Sequence, residues 1–467
     1  MNGVFIGVLA YILVQLLIGV LVSRRIRSES DYLIAGRKIG FGLAAFSMFA
    51  TWFGAETCVG AAGKFYEQGL AGGATDPFGY ALALFVMGFV FAAALWRRGL
   101  TTLADLFRER YSCGVERFAA LMMAPTSIFW AAAQIRAFGQ VMHSMSEMSV
   151  TVSITIAAVA VILYTCTGGL LADVVTDLFQ SIAIIVGLGV LMVVLFKSPE
   201  FHPVAMWERL DPARLKLFGN GENSAWATVD LWLMTICGSL VAQEVVARIL
   251  GTRSAGIARN ATLVGGGLYL VVGLVPAFLG LIGPELMPGL ANAEQLLPEL
   301  AKKFLPGVLY VLFVGALVSA ILSTVDSTLL AASALVSHNF FVSLRPQTSE
   351  RGKLLAARAG VVVFGIVAYA LALGAESIFE LVQQANGLGS AGILVVMCFG
   401  LFTRFGGVRA ASATLVVGFV TWALGTYVTG WEVTYLISLG ASSATYVVVA
   451  LVERAQSGMA TPAENGV

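Results

Sequence analysis

Charge is what this sequence has least of. Charged residues make up 12% of its 467 residues, whereas about 25% is usual for a soluble domain. The net charge of +1, without a long basic tract, argues against a nucleic-acid partner. Apolar runs of about 20 residues recur along the whole chain, and each has the length of a bilayer crossing. The sequence therefore predicts a polytopic membrane protein that lies in the lipid bilayer.

Cysteine and histidine are also few. The five cysteines and three histidines are scattered, and their spacing fits neither a disulfide framework nor a zinc site. No nucleophile–base pair and no phosphate-binding loop can be recognised either. We therefore do not expect an enzyme.

Thirteen apolar segments, called spans 1 to 13, are long enough to cross a bilayer. Their approximate limits are 4–22, 41–63, 75–96, 118–142, 149–166, 171–196, 227–249, 260–283, 306–337, 355–374, 378–402, 408–427 and 431–452. No gap between them could hold a soluble domain. The sequence predicts one transmembrane domain, 1–455, followed by a short cytoplasmic tail, 456–467.

The positive residues between the spans indicate the topology. Of the 28 Lys and Arg residues, twenty lie after odd-numbered spans or in the C-terminal tail, seven lie on the opposite side, and Arg136 lies within span 4. Since positive residues favour the cytoplasmic side, we expect the N-terminus outside and the C-terminus in the cytoplasm. The expected location is a plasma membrane or a bacterial inner membrane.

Span 2 contains a carboxylate at membrane depth. Glu56 follows Gly54, and further glycines come at Gly60 and Gly63. A buried acid usually marks an ion or solute path, and glycines allow a transport helix to break and expose its carbonyls. We predict a discontinuous helix here.

Thirteen spans also allow two halves of five, about 41–196 and 227–402. In the second half, span 7 matches span 2 and carries Gly238, followed by the polar Gln243 and Glu244. Interrupted helices at matching positions point to a binding site between the halves.

Span 9 is unusually rich in hydroxyls. Five Ser or Thr residues and Asp326 lie within residues 319–328. Ser323 and Thr324 offer the oxygen ligands that a hard cation such as sodium prefers. The alternative is that these hydroxyls bond to carbonyls of their own helix.

Three aromatic residues, Trp52, Tyr80 and Trp130, lie within spans 2, 3 and 4. If they converge, they form a box suited to an organic cation or a zwitterion; otherwise they are ordinary packing residues. Gln134 follows Trp130 by one turn. The predicted solute-binding residues are therefore Trp52, Glu56, Tyr80, Trp130, Gln134 and Gln243.

Two acids, Asp173 and Asp177, begin span 6 and lie on one face of it. Asp173 suits a helix start, but Asp177 lies one turn deeper and needs a partner. The sequence offers Arg136 or an ion path.

Several segments resemble the sodium:solute symporter family. They are DYLIAGRKIG (31–40), GGLLADVVTDLFQ (168–180), AQEVVARILGTRS (242–254) and LSTVDSTLLAAS (322–333). The resemblance covers about residues 1–455. It implies an inverted-repeat fold of the LeuT type and solute uptake driven by co-transported sodium.

The resemblance also implies site residues. Sodium ligands would be the carbonyls of Ala50, Phe53 and Ala320 and the hydroxyls of Ser323 and Thr324. Asp177 matches the family's coupling aspartate, and we assign Asp326 to the same role from its place in the hydroxyl cluster. Some members bind a second sodium with a serine where Ala320 stands, so one sodium per cycle is expected.

The segments ATWFGAETCVG (50–60), PFGYALAL (77–84) and IFWAAAQIRAFG (128–139) are most similar to the choline-transporter branch. Ala242 stands where that branch has a tryptophan, and Glu56 where it has no acid. The expected solute is an organic cation or zwitterion such as choline, betaine or an amino acid. Alternatives are a membrane sensor on the same fold, a channel, proton coupling, or a sugar or carboxylate symporter; no obligate protein partner is expected.

Overall fold

The computed structural model describes residues 26–73, 75–145, 148–218, 224–345, 347–375 and 377–459, with single residues and pairs between 10 and 24. Nearly all of these residues are helical. Within these ranges no strand is formed, and an isolated bridge joins Ile39 to Thr252. The predicted all-helical class is confirmed.

Within the described ranges, ten helical segments, some of them interrupted, are long and apolar enough to cross a membrane. They are Thr75–Arg97, Cys113–His143, Val150–Lys197, Ala225–Gly251, Ala255–Leu286, Gly307–Val342, Glu350–Gly374, Ile378–Phe402, Val408–Thr429 and Thr434–Gln456. Predicted span 1 lies mostly outside the described residues, so the total of thirteen stays a prediction.

The helix Val150–Lys197 contains both span 5 and span 6. It has 48 residues, about twice what one crossing needs. Gly169 interrupts it with a φ of 56° and a ψ of −170°, a conformation open mainly to glycine. An added Cβ at Gly169 would also lie 2.7 Å from the carbonyl oxygen of Tyr32. The chain therefore bends here against the short helix Glu29–Ile34.

Span 2 is broken, as predicted. Its first helix is Phe41–Ala50, residues 51–54 form a turn, and a π-helical segment, Glu56–Ala61, leads into the helix Ala62–Gln68. Widened turns of this kind are common at functional sites.

Spans 7 and 11 are broken as well. Span 7 consists of Ala225–Leu240 and Gln243–Gly251, so its break falls just after the predicted Gly238. Span 11 consists of Ile378–Gly387 and Ser390–Phe402, separated by Gly389 with a φ of 69°. Three interrupted spans thus contribute to the interior of the protein.

Span 9 is the central helix. It is almost entirely buried from Phe313 to Leu335 and packs against span 4 and against spans 5 and 6. Spans 10, 12 and 13 are peripheral and expose large apolar side chains such as Val363, Ile366 and Val448. An apolar outer surface of this kind suits contact with lipid.

Candidate ion and solute site

The break in span 2 redirects a backbone donor. The Ala55 N–H donates to Gln134 Oε1 at 3.1 Å. In an unbroken helix this N–H would bond to the carbonyl of Thr51. The side chain of Gln134, predicted to bind solute, therefore also holds the break in place.

Gly54 allows span 9 to approach this turn closely. A Cβ added to Gly54 would lie 2.8 Å from Thr324 Oγ1 and 3.2 Å from the carbonyl oxygen of Ala320. Thr324 Oγ1 itself lies 3.5 Å from the Ala50 carbonyl oxygen and 3.4 Å from that of Ala320. Three of the predicted sodium ligands thus meet, and Phe53 is buried in the same turn.

Ser323 faces span 6. Its hydroxyl donates to Asp177 Oδ1 at 2.5 Å, and the Ser47 hydroxyl donates to Asp177 Oδ2. Arg248 Nη2 lies 2.9 Å from Asp177 Oδ2 and 2.9 Å from Asp173 Oδ2. All three charged side chains are buried, and buried charges persist where they are paired and hydrogen-bonded. Span 6 is thereby linked to spans 2, 7 and 9.

The partner of Asp177 is therefore Arg248, which corrects the suggestion that Arg136 pairs with it. Arg136 Nη1 donates instead to the carbonyl oxygen of Ala372 at 3.3 Å. Arg248 lies in the second helix of span 7, Gln243–Gly251. The break in span 7 thus positions the cation that faces span 6.

The three predicted aromatic residues converge. The ring centroids of Trp52 and Tyr80 are 5.4 Å apart, those of Trp52 and Trp130 are 6.2 Å apart, and those of Tyr80 and Trp130 are 5.8 Å apart. The Tyr80 hydroxyl donates to Glu56 Oε1 at 3.0 Å and accepts from Asn386 Nδ2 at 2.8 Å. Spans 2, 3, 4 and 11 therefore meet in one aromatic cluster, which consists of Trp52, Tyr80 and Trp130.

Two further acids lie beside this cluster. Asp76 accepts from the Thr57 hydroxyl at 2.7 Å and from the Tyr269 hydroxyl at 3.0 Å. Glu244 accepts from Trp52 Nε1 at 3.2 Å. Together with Glu56, they give the cluster an acidic border.

Gln243 is not brought into the cluster. Its Oε1 accepts from the backbone N–H of Leu103 at 2.8 Å, so it fixes the start of the short helix Leu103–Arg110. The neighbouring Glu244 contacts Trp52 in its place, because consecutive residues of a helix point about 100° apart.

Asp326 does not join the Asp177 network. Its Oδ1 accepts from the Ser327 N–H at 3.1 Å, and it lies about 200° around the helix from Thr324. The face that it occupies differs from the one that meets span 2.

Sequence reasoning assigned no site role to five residues: Asp76, Glu244, Arg248, Tyr269 and Asn386. Polar residues within apolar spans are the signal that would have singled out most of them. Their partners come from distant parts of the chain, so the pairing itself cannot be read from spacing.

A scan of protein families matches residues 32–418 to the sodium:solute symporter family. High-affinity choline transporter 1 of Caenorhabditis elegans is 28% identical over 417 residues, which cover 81% of this chain and 70% of that protein. The human high affinity choline transporter 1 is 27% identical over 402 residues, which cover 80% of this chain and 68% of that protein.

The fold also matches solved transporters. A Na+-coupled sialic acid symporter in a substrate-bound outward-open state superposes with a TM-score of 0.83 at 18% identity, covering 97% of this chain and 98% of that one. A nucleobase-cation-symport-1 family transporter gives a TM-score of 0.62 at 14% identity, covering 92% and 96%.

These solved transporters share the all-helical fold over more than nine-tenths of this chain, in agreement with the LeuT-type fold expected from the sequence. The chain belongs to the sodium:solute symporter family. It is a multi-pass membrane protein that couples transport of a small solute to sodium.

Proposed function

We propose that this protein imports a small organic cation or zwitterion with one sodium ion by alternating access. One observation carries the proposal: a single turn, 51–54, joins the aromatic cluster to the oxygen group, which consists of Thr324 Oγ1 and the carbonyl oxygens of Ala50 and Ala320. Ala50, just before it, contributes to the oxygen group, and Trp52, within it, to the cluster. Because either ligand orders the same turn, each lowers the ordering cost of binding the other.

In this proposal sodium binds the carbonyl oxygens of Ala50, Phe53 and Ala320 and the hydroxyls of Ser323 and Thr324. Calcium, a cation of similar radius, binds oxygen ligands at about 2.4 Å. Two ligands whose bonds to the cation are perpendicular are then about 3.4 Å apart. The separation of 3.5 Å between Thr324 Oγ1 and the Ala50 carbonyl oxygen, across two spans, agrees with such a shell, whereas the 3.4 Å to Ala320 is also the hydroxyl bond of a regular helix.

Asp177, rather than Asp326, takes the coupling role. It holds the Ser323 hydroxyl on one oxygen and faces Arg248 with the other. Sodium bound at Ser323 therefore changes the surroundings of a carboxylate that joins spans 2, 6, 7 and 9.

The solute binds at the aromatic cluster of Trp52, Tyr80 and Trp130. The ring faces attract a cationic group, and Glu56 supplies a carboxyl oxygen beside Tyr80. Gln134 lies on the same side of span 4 as Trp130, one turn away.

The proposed setting is a plasma membrane or a bacterial inner membrane, with the N-terminus outside. A cavity of about 400 Å³ would then open to the outside; it is lined by Gly60, Lys64, Glu67, Glu294 and Glu380, among others. Gly60 lies one turn from Glu56, so the cavity leads towards the solute site. We propose one domain, 1–455, with repeats of about 41–196 and 227–402, and no obligate protein or nucleic-acid partner.

Uptake by purified protein in proteoliposomes tests the function. Radiolabelled choline, glycine betaine and alanine are offered with an inward sodium gradient and a membrane potential, or with potassium in place of sodium. A potential of 100 mV supplies about 2.3 kcal/mol per charge, and a tenfold sodium gradient adds about 1.4 kcal/mol. In the presence of the sodium gradient and the potential, accumulation of a zwitterion should therefore reach several hundred-fold. With potassium in place of sodium, no accumulation should occur.

Each alternative gives a different result. A sensor binds a solute but accumulates none, and a channel equilibrates it without accumulation. Proton coupling shows accumulation in sodium-free buffer that follows a pH gradient. Any of these outcomes contradicts sodium-driven symport.

A further inference from the structure

The aromatic cluster is bordered by buried acids that lack a matching base. Glu56 and Asp76 are both 0% exposed. Among the described residues, no Lys or Arg forms an ion pair with either of them. Asp173 and Asp177, by contrast, share Arg248. The solute site is therefore much more acidic than the site beside it.

Three polar atoms at the cluster are buried and have no hydrogen-bond partner within the described ranges: Glu56 Oε2, Trp130 Nε1 and Gln134 Nε2. The first is an acceptor on span 2, and the other two are donors one turn apart on span 4. Buried polar atoms without partners are rare and are costly in a folded protein. The three at the cluster include an acceptor and two donors, so they point to a ligand that carries both a donor and an acceptor.

We infer, on the basis of the proposed symport, that the solute binds through a protonated amine with N–H donors and an oxygen acceptor, as in amino acids and amino alcohols. The amine donates to Glu56 Oε2 in a charge-assisted hydrogen bond. Its charge lies beside the rings of Tyr80 and Trp130. The oxygen acceptor receives the hydrogen bonds of Gln134 and Trp130.

A quaternary ammonium fits this site less well. It has no N–H, so it leaves Glu56 Oε2 buried without a hydrogen bond. A missing partner for a buried charged group weakens binding about tenfold or more. Each N-methyl group also removes one of the donors that can reach the carboxyl oxygen.

Two N-methylation series test the inference on the purified full-length protein in detergent with sodium. One runs from glycine through sarcosine and dimethylglycine to glycine betaine, and the other from ethanolamine through its N-methyl derivatives to choline. Affinity is measured by thermal shift. We expect it to fall along at least one series, with the last methyl group costing about tenfold or more.

Glu56→Gln should make the affinities of the members of a series more similar, because the amide carries no charge to favour the amine. Glu208→Gln, at an exposed acid of the short helix Pro203–Arg209, should leave the ranking of affinities unchanged. If Glu56→Gln does not fold, the ranking of the wild-type protein alone decides.

The amine assignment is overturned if, in every series that the protein binds, the quaternary member binds as tightly as the primary amine or more tightly. The amine assignment is also overturned if sodium stabilises the protein but no member of either series does. Sodium coupling would still stand after that result. Failure of sodium to stabilise the protein would instead count against the proposed symport itself.

Discussion

Single residues set the charge balance inside the membrane. Asp173 and Asp177 share one buried cation, Arg248, whose guanidinium lies 2.9 Å from both carboxylates. Two acids and one base leave one negative charge beside Ser323. A sodium ion at Ser323 would neutralise it, which gives an electrostatic reason for the ion to bind there.

Replacing Arg248 tests this balance. We expect Arg248→Ala to lower the free energy of unfolding by about 3–5 kcal/mol, because it leaves two buried carboxylates without their base. Thermal unfolding in detergent measures the effect. Adding Asp173→Asn to that variant should restore part of the stability, since only one acid then needs a partner. A variant Arg248→Ala that unfolds like the wild type would contradict the charge balance.

Broken helices act at the scale of elements. Spans 2, 7 and 11 are interrupted, and each delivers a polar or aromatic side chain to the site: Trp52, Glu244 and Asn386. Lipid offers no hydrogen-bond partner for the backbone groups that a break exposes. These breaks are tolerated because they are buried among other helices. The site is thus built where helical regularity is lost.

Gly54 is the residue on which the break in span 2 most depends. A Cβ there would lie 2.8 Å from Thr324 Oγ1, and overpacking of this kind costs about 1–3 kcal/mol. We expect Gly54→Ala to weaken sodium activation of uptake about tenfold or more.

Gly42→Ala is the matched control for Gly54→Ala. It lies in the same span, is exposed, and an added Cβ would meet nothing within 4 Å. Equal sodium dependence in both variants would show that span 9 does not need this close approach.

The elements were largely predictable, and the pairings were not. The glycines beside Glu56 predicted the break in span 2, because a glycine, which has no Cβ atom, can be recognised directly in the sequence. The sequence also named Trp52, Tyr80 and Trp130, but whether their rings converge depends on packing. However, which face of a helix meets which neighbour depends on packing, so the sequence could not show that Gln243 bonds to the backbone of Leu103 or that Asp326 accepts from the Ser327 N–H.

At the scale of the whole molecule, the two ends of the site differ. The cavity lined by Glu67 and Glu294 lies at one end. At the other, Asn339 Nδ2 donates to Asp105 at 2.8 Å and to Glu116 at 3.0 Å, which ties span 9 to the start of span 4.

Asp105 is a buried acid of this second group. Although burial raises its pKa, the nearby His338 side chain and hydrogen bonds from the backbone N–H groups of Thr101 and Thr102 bring the pKa of Asp105 below its ordinary value. Alternating access requires these contacts to loosen when the cavity at the opposite end closes.

Direct binding of radioactive sodium to the purified protein tests the whole scheme. A scintillation proximity assay should show saturable binding of one sodium per protein, and Ser323→Ala with Thr324→Ala should abolish it. Thr262→Ala is the control, because its hydroxyl bonds to Ala258 within its own helix, and it should bind sodium like the wild type. Undiminished binding by the double variant would contradict a sodium site between span 2 and span 9.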